Sequence, residues 1–329
     1  MSENEFKSIA TKEVPKLCND YIEIKRAAGL KYDTGTRTLK QFIRYCESNI
    51  QDEYLPDDAI YNWITDAKNQ SLKTKNNNNG VMTGWAQYLF SLGYVPLRLP
   101  DVRYSKNTDF VPHIFTDKEL KKIWQCIDCI KPNHRFPNLH RCIPVLFRLL
   151  YGCGLRINEA LQIKRKDIDF STNVIKLYHT KLDRERLIPM ADSLATVIKK
   201  YVENNIDITD DDSPIFFYKK GEPLHGHSIY GRFRLTLKMS GIPYEGKLRG
   251  PRLHDFRHTF AVRAMNRLSD EGKDLYVILP ILSAYLGHAN IEVTEKYIRL
   301  TEDRLSTITD AMQLNLPEIF PEVKTNEEF

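Results

Sequence analysis

From about residue 10 to residue 95, apolar side chains recur at helical spacing, as in Leu39, Phe42, Ile43 and Tyr45 and again in Trp85, Tyr88, Leu89 and Leu92. The tract Asn76 to Asn79, followed by Gly80, reads as punctuation, either a loop or a poorly formed first turn of the Trp85 helix. Pro96 to Pro112 has no helical period and carries Pro100, Ser105, Asn107 and Asp109, which predicts an interdomain linker. Beyond it, Thr116-Asp117-Lys118-Glu119 ahead of Leu120 and Ile123 has the form of a capping box, so the second domain is expected to begin with a helix. Another helix is predicted from about Leu139, its stripe of Ile143, Val145, Leu146, Leu149 and Leu150 ending at Gly152-Cys153-Gly154. Val174 to Tyr178 and Arg186 to Met190 alternate as short strands around the polar turn Leu182 to Glu185. Helices dominate again from Ser228 to about Leu316. The pattern predicts a mainly α protein with a small β-hairpin or sheet in its second domain.

Composition narrows the class. With 329 residues, 42% hydrophobic and 28% charged, the chain is long enough for two or three domains and is neither collagenous, broadly disordered nor membrane-embedded. Its longest apolar stretch, Tyr276 to Leu286, is interrupted by Pro280 and is too short to span a bilayer. The N-terminus lacks the features of a secretory signal, and the six scattered Cys suit reduced thiols, so a cytoplasmic protein is expected. Charge is uneven. Basic residues number 15 against 14 acidic over 1–110, 31 against 22 over 111–300, and 2 against 7 over 301–329. Lys219 to Arg267 alone holds eleven Lys and Arg against three acidic residues, with Tyr230, Phe233 and Tyr244 interleaved, as a surface facing a phosphate backbone would.

Several positions could carry chemistry. Arg156, in Gly154-Leu155-Arg156-Ile157-Asn158-Glu159, stands where a new helix begins, and both the guanidinium and the helix-terminal amides favour a phosphate; a simple pair with Glu159 is the plainer alternative. His254 and Arg257 are three residues apart on one helical face, beside the apolar stripe of Leu253, Phe256 and Phe260. His288 follows Gly287, and Tyr297 lies nine residues further on. Taken singly, each has an ordinary structural explanation.

Together, the arginine, a hairpin lysine (Lys181), His-x-x-Arg, Gly-His and tyrosine, in this order and at these separations, resemble the tyrosine recombinase (phage integrase) family. The resemblance spans about Phe115 to Leu300, and Tyr21 to Cys46 more weakly resembles the core-binding domain of the same enzymes. The acidic tail 301–329 is expected, from its apolar residues Ile308, Met312, Leu314 and Leu316, to dock on a neighbouring protomer. The resemblance implies a two-domain C-shaped clamp: residues 1–98 a helical core-binding domain, 99–112 a linker and 113–300 the catalytic domain. It further implies that Tyr297 is the nucleophile that forms a 3′-phosphotyrosyl bond. Arg156, Arg257 and His288 would stabilise the phosphorane-like transition state, Lys181 would protonate the leaving 5′-oxygen, His254 would help move the tyrosine proton, and Glu159 would support them from behind. DNA contacts are expected from Arg184, Arg186, Arg232, Arg234, Lys238 and Arg252. The enzyme should work on double-stranded DNA as a homotetramer on two sites, with possible accessory DNA-bending or directionality proteins, no cofactor, no metal and no ATP, in integration or excision of a mobile element.

Three rivals stand beside this. A type IB topoisomerase would share the chemistry but act as a monomer, and a sequence-specific regulator would bind DNA without cutting it. A zinc module would use Cys126-Ile127-Asp128-Cys129 with His134, His140 and Cys142, although Trp124, Ile127 and Ile130 continue the core pattern of a helix there.

Overall fold

The computed structural model describes residues 6–68, 70–101, 111–134, 136–178, 185–205, 208, 210–219, 222–246, 250–288 and 294. The chain divides into two compact units, Met1–Thr108 and Asp109–Phe329.

The first unit is helical: α1 (Val14–Ala27), α2 (Asp33–Asn49), α3 (Ala59–Thr65) and α4 (Leu72–Ser91). Their apolar stripes meet in a core of Leu17, Tyr21, Leu39, Phe42, Trp63, Trp85 and Leu89, with Phe42 set edge-on to Trp63 and Trp85 at 5.3 and 5.6 Å. The Asn tract departs from the expectation of a break, because it forms the second turn of α4. Ser71 caps this helix by accepting the Thr74 amide, which moves the start upstream of the asparagines. Asn disfavours helix because its side chain competes for nearby backbone groups, and here that competition is removed. Buried Asn78 accepts from the Thr38 hydroxyl and donates to the Gln70 side chain, while Asn79 donates to the Pro100 carbonyl.

In the second unit, α5 (Asp117–Asp128) opens with the predicted capping box, Thr116 and Glu119 each accepting the other's backbone amide. It is followed by α6 (Leu139–Cys153), α7 (Ile157–Leu161), the strands β1 (Ile168–Asp169), β2 (Val174–Leu177) and β3 (Arg186–Pro189), and α8 (Asp192–Glu203). The short antiparallel pair β4 (Phe217–Lys219) and β5 (Glu222–Pro223) precedes α9 (Gly226–Met239), α10 (Asp255–Asp270) and α11 (Leu275–Leu286). The expected hairpin is present as β2 and β3, paired antiparallel with Leu177 opposite Arg186, and β1 adds a third strand in the order β1-β2-β3. Its turn, 179–184, lies outside the described residues.

Helix α6 is the centre of this unit. Ile143, Leu146, Phe147 and Leu150 are fully or almost fully buried, and Phe147 joins Phe115, Phe233 and Phe256 in an aromatic cluster with centroids 5.2 to 6.4 Å apart. A second, smaller core packs Ala261, Val262 and Met265 of α10 against Ile278, Leu279, Leu282 and Leu286 of α11. Helix α11 runs through Pro280, and α6 through Pro144, so neither proline ends its helix. The buried face on either side of each proline outweighs the lost backbone hydrogen bond. No helix among the described residues is long and apolar enough to cross a membrane.

Replacing Asn78 by Ala strands the Thr38 hydroxyl and the Gln70 carbonyl. The expected cost is about 1–3 kcal/mol in the first unit, read as a lower urea midpoint in the fluorescence of Trp63 and Trp85.

Candidate active site

The site is assembled where four helices end or begin. Helix α6 stops at Gly154, whose φ of 59° is left-handed, the backbone conformation that glycine adopts most easily. A side chain there would also overlap the Phe260 ring. The Gly154 carbonyl accepts Nη1 of Arg257, on the first turn of α10, at 2.8 Å, and Arg257 Nη2 donates to the carbonyl of Leu286 at the end of α11. Arg257 is 1% exposed. Arg156, the N-cap of α7, donates from Nη2 to the Gly287 carbonyl at 2.8 Å and from Nη1 to Glu159 Oε1 at 2.6 Å, while its backbone amide donates to Glu159 Oε2. The two guanidiniums therefore hold successive carbonyls, Leu286 and Gly287, at the C-terminal and partially negative end of α11. Both readings of Arg156 coexist: it pairs with Glu159 and it faces the site.

His288 follows directly. Its backbone amide returns to the Ser283 carbonyl, and its ring Nδ1 lies 2.8 Å from the hydroxyl of Thr294, a residue with no exposed surface. His254, the N-cap of α10, keeps part of its ring open to solvent and meets His258 edge to face at 4.8 Å. All three imidazoles resist protonation. The surrounding protein withdraws solvation from the charged form, and the arginines repel it. His254 is brought down to about 4, with Arg257, Arg156 and Arg252 adding to desolvation. Desolvation, then Arg257 and Arg156, bring His288 to about 3, and desolvation, then His254, Arg252 and Arg257, bring His258 to about 3.

Of the positions singled out in the sequence, Arg156, Glu159, His254, Arg257 and His288 converge here. Lys181, Arg184 and Tyr297 lie outside the described residues. Among the expected DNA contacts, Arg234 and Lys238 are exposed and share one row of α9 with Tyr230, at spacings of four. Tyr230, Arg234, Tyr244, Arg252 and His254 line one cleft. Arg232, two residues from Arg234, points to another side of α9 and is half-buried. Arg252 is turned partly toward the buried Asp255, whose carboxylate accepts the Arg252 amide at 2.7 Å.

Arg186 differs from expectation. Rather than facing DNA, its side chain, 9% exposed, is turned inward, with Nη2 3.0 Å from Glu159 Oε2 and Nη1 donating to the Tyr285 carbonyl. The alternation of β3 is the reason: Arg186 shares a face with Ile188, which is 1% exposed, while Leu187 is 65% exposed. The same alternation was readable in the sequence. Lys176, in β2, is on the outer face and pairs with Glu185 at 3.2 Å. The carbonyl role of Gly154 had no signature because Arg257 lies 103 residues away, and the partners of Thr294 and the buried Asp255, His288 and the Arg252 amide, are near in sequence but follow no recognisable pattern.

The cysteines of the zinc reading do not come together. Cys129 is exposed at the end of α5, whereas Cys142 is buried, its sulfur 3.0 Å from the Tyr201 hydroxyl and beside Asn138. Among the described residues, no group of three His, Cys, Asp or Glu side chains is placed to hold an ion.

The sequence model of the phage integrase family matches residues 114–304, more than half of the chain. A putative integrase/recombinase, y4rB, from Sinorhizobium fredii is 26% identical over 295 residues, covering 85% of this chain and 90% of its own. The tyrosine recombinase XerA of Pyrococcus furiosus is 28% identical over 217 residues, 65% of this chain and 66% of its own. Among solved structures, the XerH site-specific recombinase in a post-cleavage complex with palindromic difH substrate has a TM-score of 0.63 at 20% identity, covering 91% of this chain and 84% of that one. The Tn1549 transposon integrase, in complex with a circular intermediate DNA, has a TM-score of 0.60 at 22% identity, covering 85% and 94%. The fold is that of the tyrosine recombinases, and the chain belongs to the phage integrase family. It is a site-specific recombinase, one of a class of enzymes that cut and rejoin DNA.

An unfolded histidine titrates near 6.5, so between about pH 6.5 and pH 4 the unfolded chain binds more protons than the folded one. The stability that these neutral imidazoles contribute is complete above about pH 6.5 and is lost as pH falls toward their folded values. The melting temperature is expected to fall over this range and to fall less steeply in His288→Asn; identical slopes in the two proteins would remove His288 from the account.

Proposed function

We propose that this recombinase integrates or excises a mobile element, cutting double-stranded DNA with Tyr297 and working as a homotetramer on two sites. The observation that carries the chemistry is the pair of guanidiniums fixed on the Leu286 and Gly287 carbonyls beside His288. Donors held in advance on backbone carbonyls suit the charge that develops on the non-bridging oxygens of a phosphodiester under attack, because they need no reorganisation at that moment. With the Thr294 hydroxyl donating to Nδ1, the neutral His288 ring keeps its Nε2–H for one of those oxygens. The Tyr297 phenol attacks phosphorus, the bond to the 5′-oxygen breaks, and Lys181 supplies the proton that the leaving alkoxide needs. His254 takes the phenolic proton, its basicity restored when a phosphodiester offsets the arginines. The product is a 3′-phosphotyrosyl bond and a free 5′-hydroxyl, which reverses the step on a second strand without ATP. Two fixed guanidiniums supply the positive charge, so the activity should persist in chelator.

Residues 1–98 and 113–300 serve in this reading as the two halves of a clamp joined by the 99–112 linker, and 301–329 docks on a neighbouring protomer. The row of Tyr230, Arg234 and Lys238 supports a phosphate-tracking surface that leads to His254. The name integrase/recombinase carried by the Sinorhizobium relative, and the fold shared with a transposon integrase, support the mobile-element role.

The test is a covalent-adduct assay in EDTA on labelled duplexes from both flanks of the gene. Each is nicked a few nucleotides 3′ of candidate sites, so that the short 5′-hydroxyl fragment diffuses away. An SDS-stable adduct is expected for the wild type, absent in Tyr297→Phe, and formed about 10²–10³-fold more slowly in Arg257→Ala. Tight binding without an adduct would favour the non-cutting regulator. Supercoil relaxation by a monomer, with no joined products from two sites, would favour the topoisomerase.

A further inference from the structure

Arg186 is a buried charge at the base of the hairpin, and nothing in the chemistry above uses it. It is the first residue of β3, paired with Leu177 of β2 just after the turn, and Lys181 lies five residues earlier in that turn. Its guanidinium reaches two bodies at once: Glu159 Oε2 on α7 at 3.0 Å, and the Tyr285 carbonyl in the last turn of α11 at 2.9 Å. It also fills the space that a side chain at Gly287 would need, since a Cβ there would collide with the guanidinium, and the φ of 65° at Gly287 further favours glycine.

We propose that Arg186 is a positioning residue that fastens the β2–β3 hairpin to the Tyr285–His288 turn, so that Lys181 meets the leaving 5′-oxygen in register. Outward from Arg186 the described contacts of the hairpin are superficial. Tyr178 is 40% exposed, and Lys176 pairs with Glu185 at the surface. Inward from it, Ile188 is core. The guanidinium is therefore the outermost firm attachment of the hairpin among the described residues. Arg156 shares Glu159 with it, since Oε2 meets both the Arg156 amide and the Arg186 guanidinium, but the Arg156 guanidinium keeps its own bonds to Glu159 Oε1 and to the Gly287 carbonyl. Loss of Arg186 should accordingly injure proton delivery more than phosphate binding. A lysine cannot replace it fully, because one ammonium cannot span Glu159 and the Tyr285 carbonyl with the geometry of a planar fork.

This inference rests on the recombinase reading, and its test separates the two. Single-turnover adduct formation is measured for wild type, R186Q, R186K, K181A and R156K on the nicked duplex that the wild-type protein cleaves. Each is then measured on the same duplex with sulfur in place of the bridging 5′-oxygen. With sulfur, the P–S bond breaks to release a thiolate that needs no proton, so a defect in the general acid is relieved and a defect in phosphate stabilisation is not. R186Q is expected to slow cleavage of the oxygen substrate by about 10–10²-fold, with R186K milder. DNA affinity and melting temperature should change little, and most of the loss should disappear on the sulfur substrate, as for K181A and unlike R156K. An R186Q defect that persists in full on sulfur, or an R186Q rate equal to wild type on oxygen, overturns the proposal. A wild-type protein that binds its duplexes but forms no adduct overturns the recombinase reading, and this inference with it.

Discussion

Everything at this site depends on keeping two guanidiniums charged in a place where water has little access. Arg257 is almost wholly buried, and an isolated charge in such a position would cost several kcal/mol. The cost is offset by carbonyls that have no partner within their own helices. The C-terminal ends of α6 and α11 each leave such groups, and Arg257 takes one from each, Gly154 and Leu286, while Arg156 takes the next, Gly287. Helix termination and cation burial thus solve each other's problem. The positions of both arginines are set by backbone, which is stiffer than any side-chain support.

The same arrangement explains the histidines. Burial withdraws solvation from any further cation beside the arginine pair, and the pair repels it, so His254 and His288 stand neutral in the free chain. A neutral ring is the form that can donate from one nitrogen and accept at the other. Arrival of an anionic phosphate reverses part of this bias. The free and DNA-bound sites should therefore differ in proton affinity without any side chain having to move.

Much of the fold was legible because its signals were local. The capping box of Thr116 and Glu119, the stripe of α6 ending at Gly154 and the alternation of β2 and β3 each lie within a few residues. The failures were cases where distant partners overrode local preference. The asparagines at 76–79 lie within α4 because Ser71 caps the helix upstream of them and because Thr38, Gln70 and Pro100 engage Asn78 and Asn79. At the site, residue types in order pointed to Arg156, His254, Arg257 and His288. What each touches was not legible, because Gly154, Leu286 and Gly287 contribute backbone carbonyls that no side-chain pattern records. Arg186 was assigned to DNA on its charge, while its place on the same strand face as Ile188 argued for the interior.

The span of chain between partners has a consequence for the birth of the molecule. Arg257 binds Gly154 across 103 residues, and Arg156 binds Gly287 across 131. Contacts this distant in sequence close late, after the intervening helices have packed. On the ribosome, Arg156 emerges long before the carbonyl that orients it, and Tyr297 emerges later still. A nascent or truncated chain thus carries arginines but no assembled phosphate cradle. Until α11 has been made and has packed, Arg156 and Arg257 lack the Gly287 and Leu286 carbonyls that fix them.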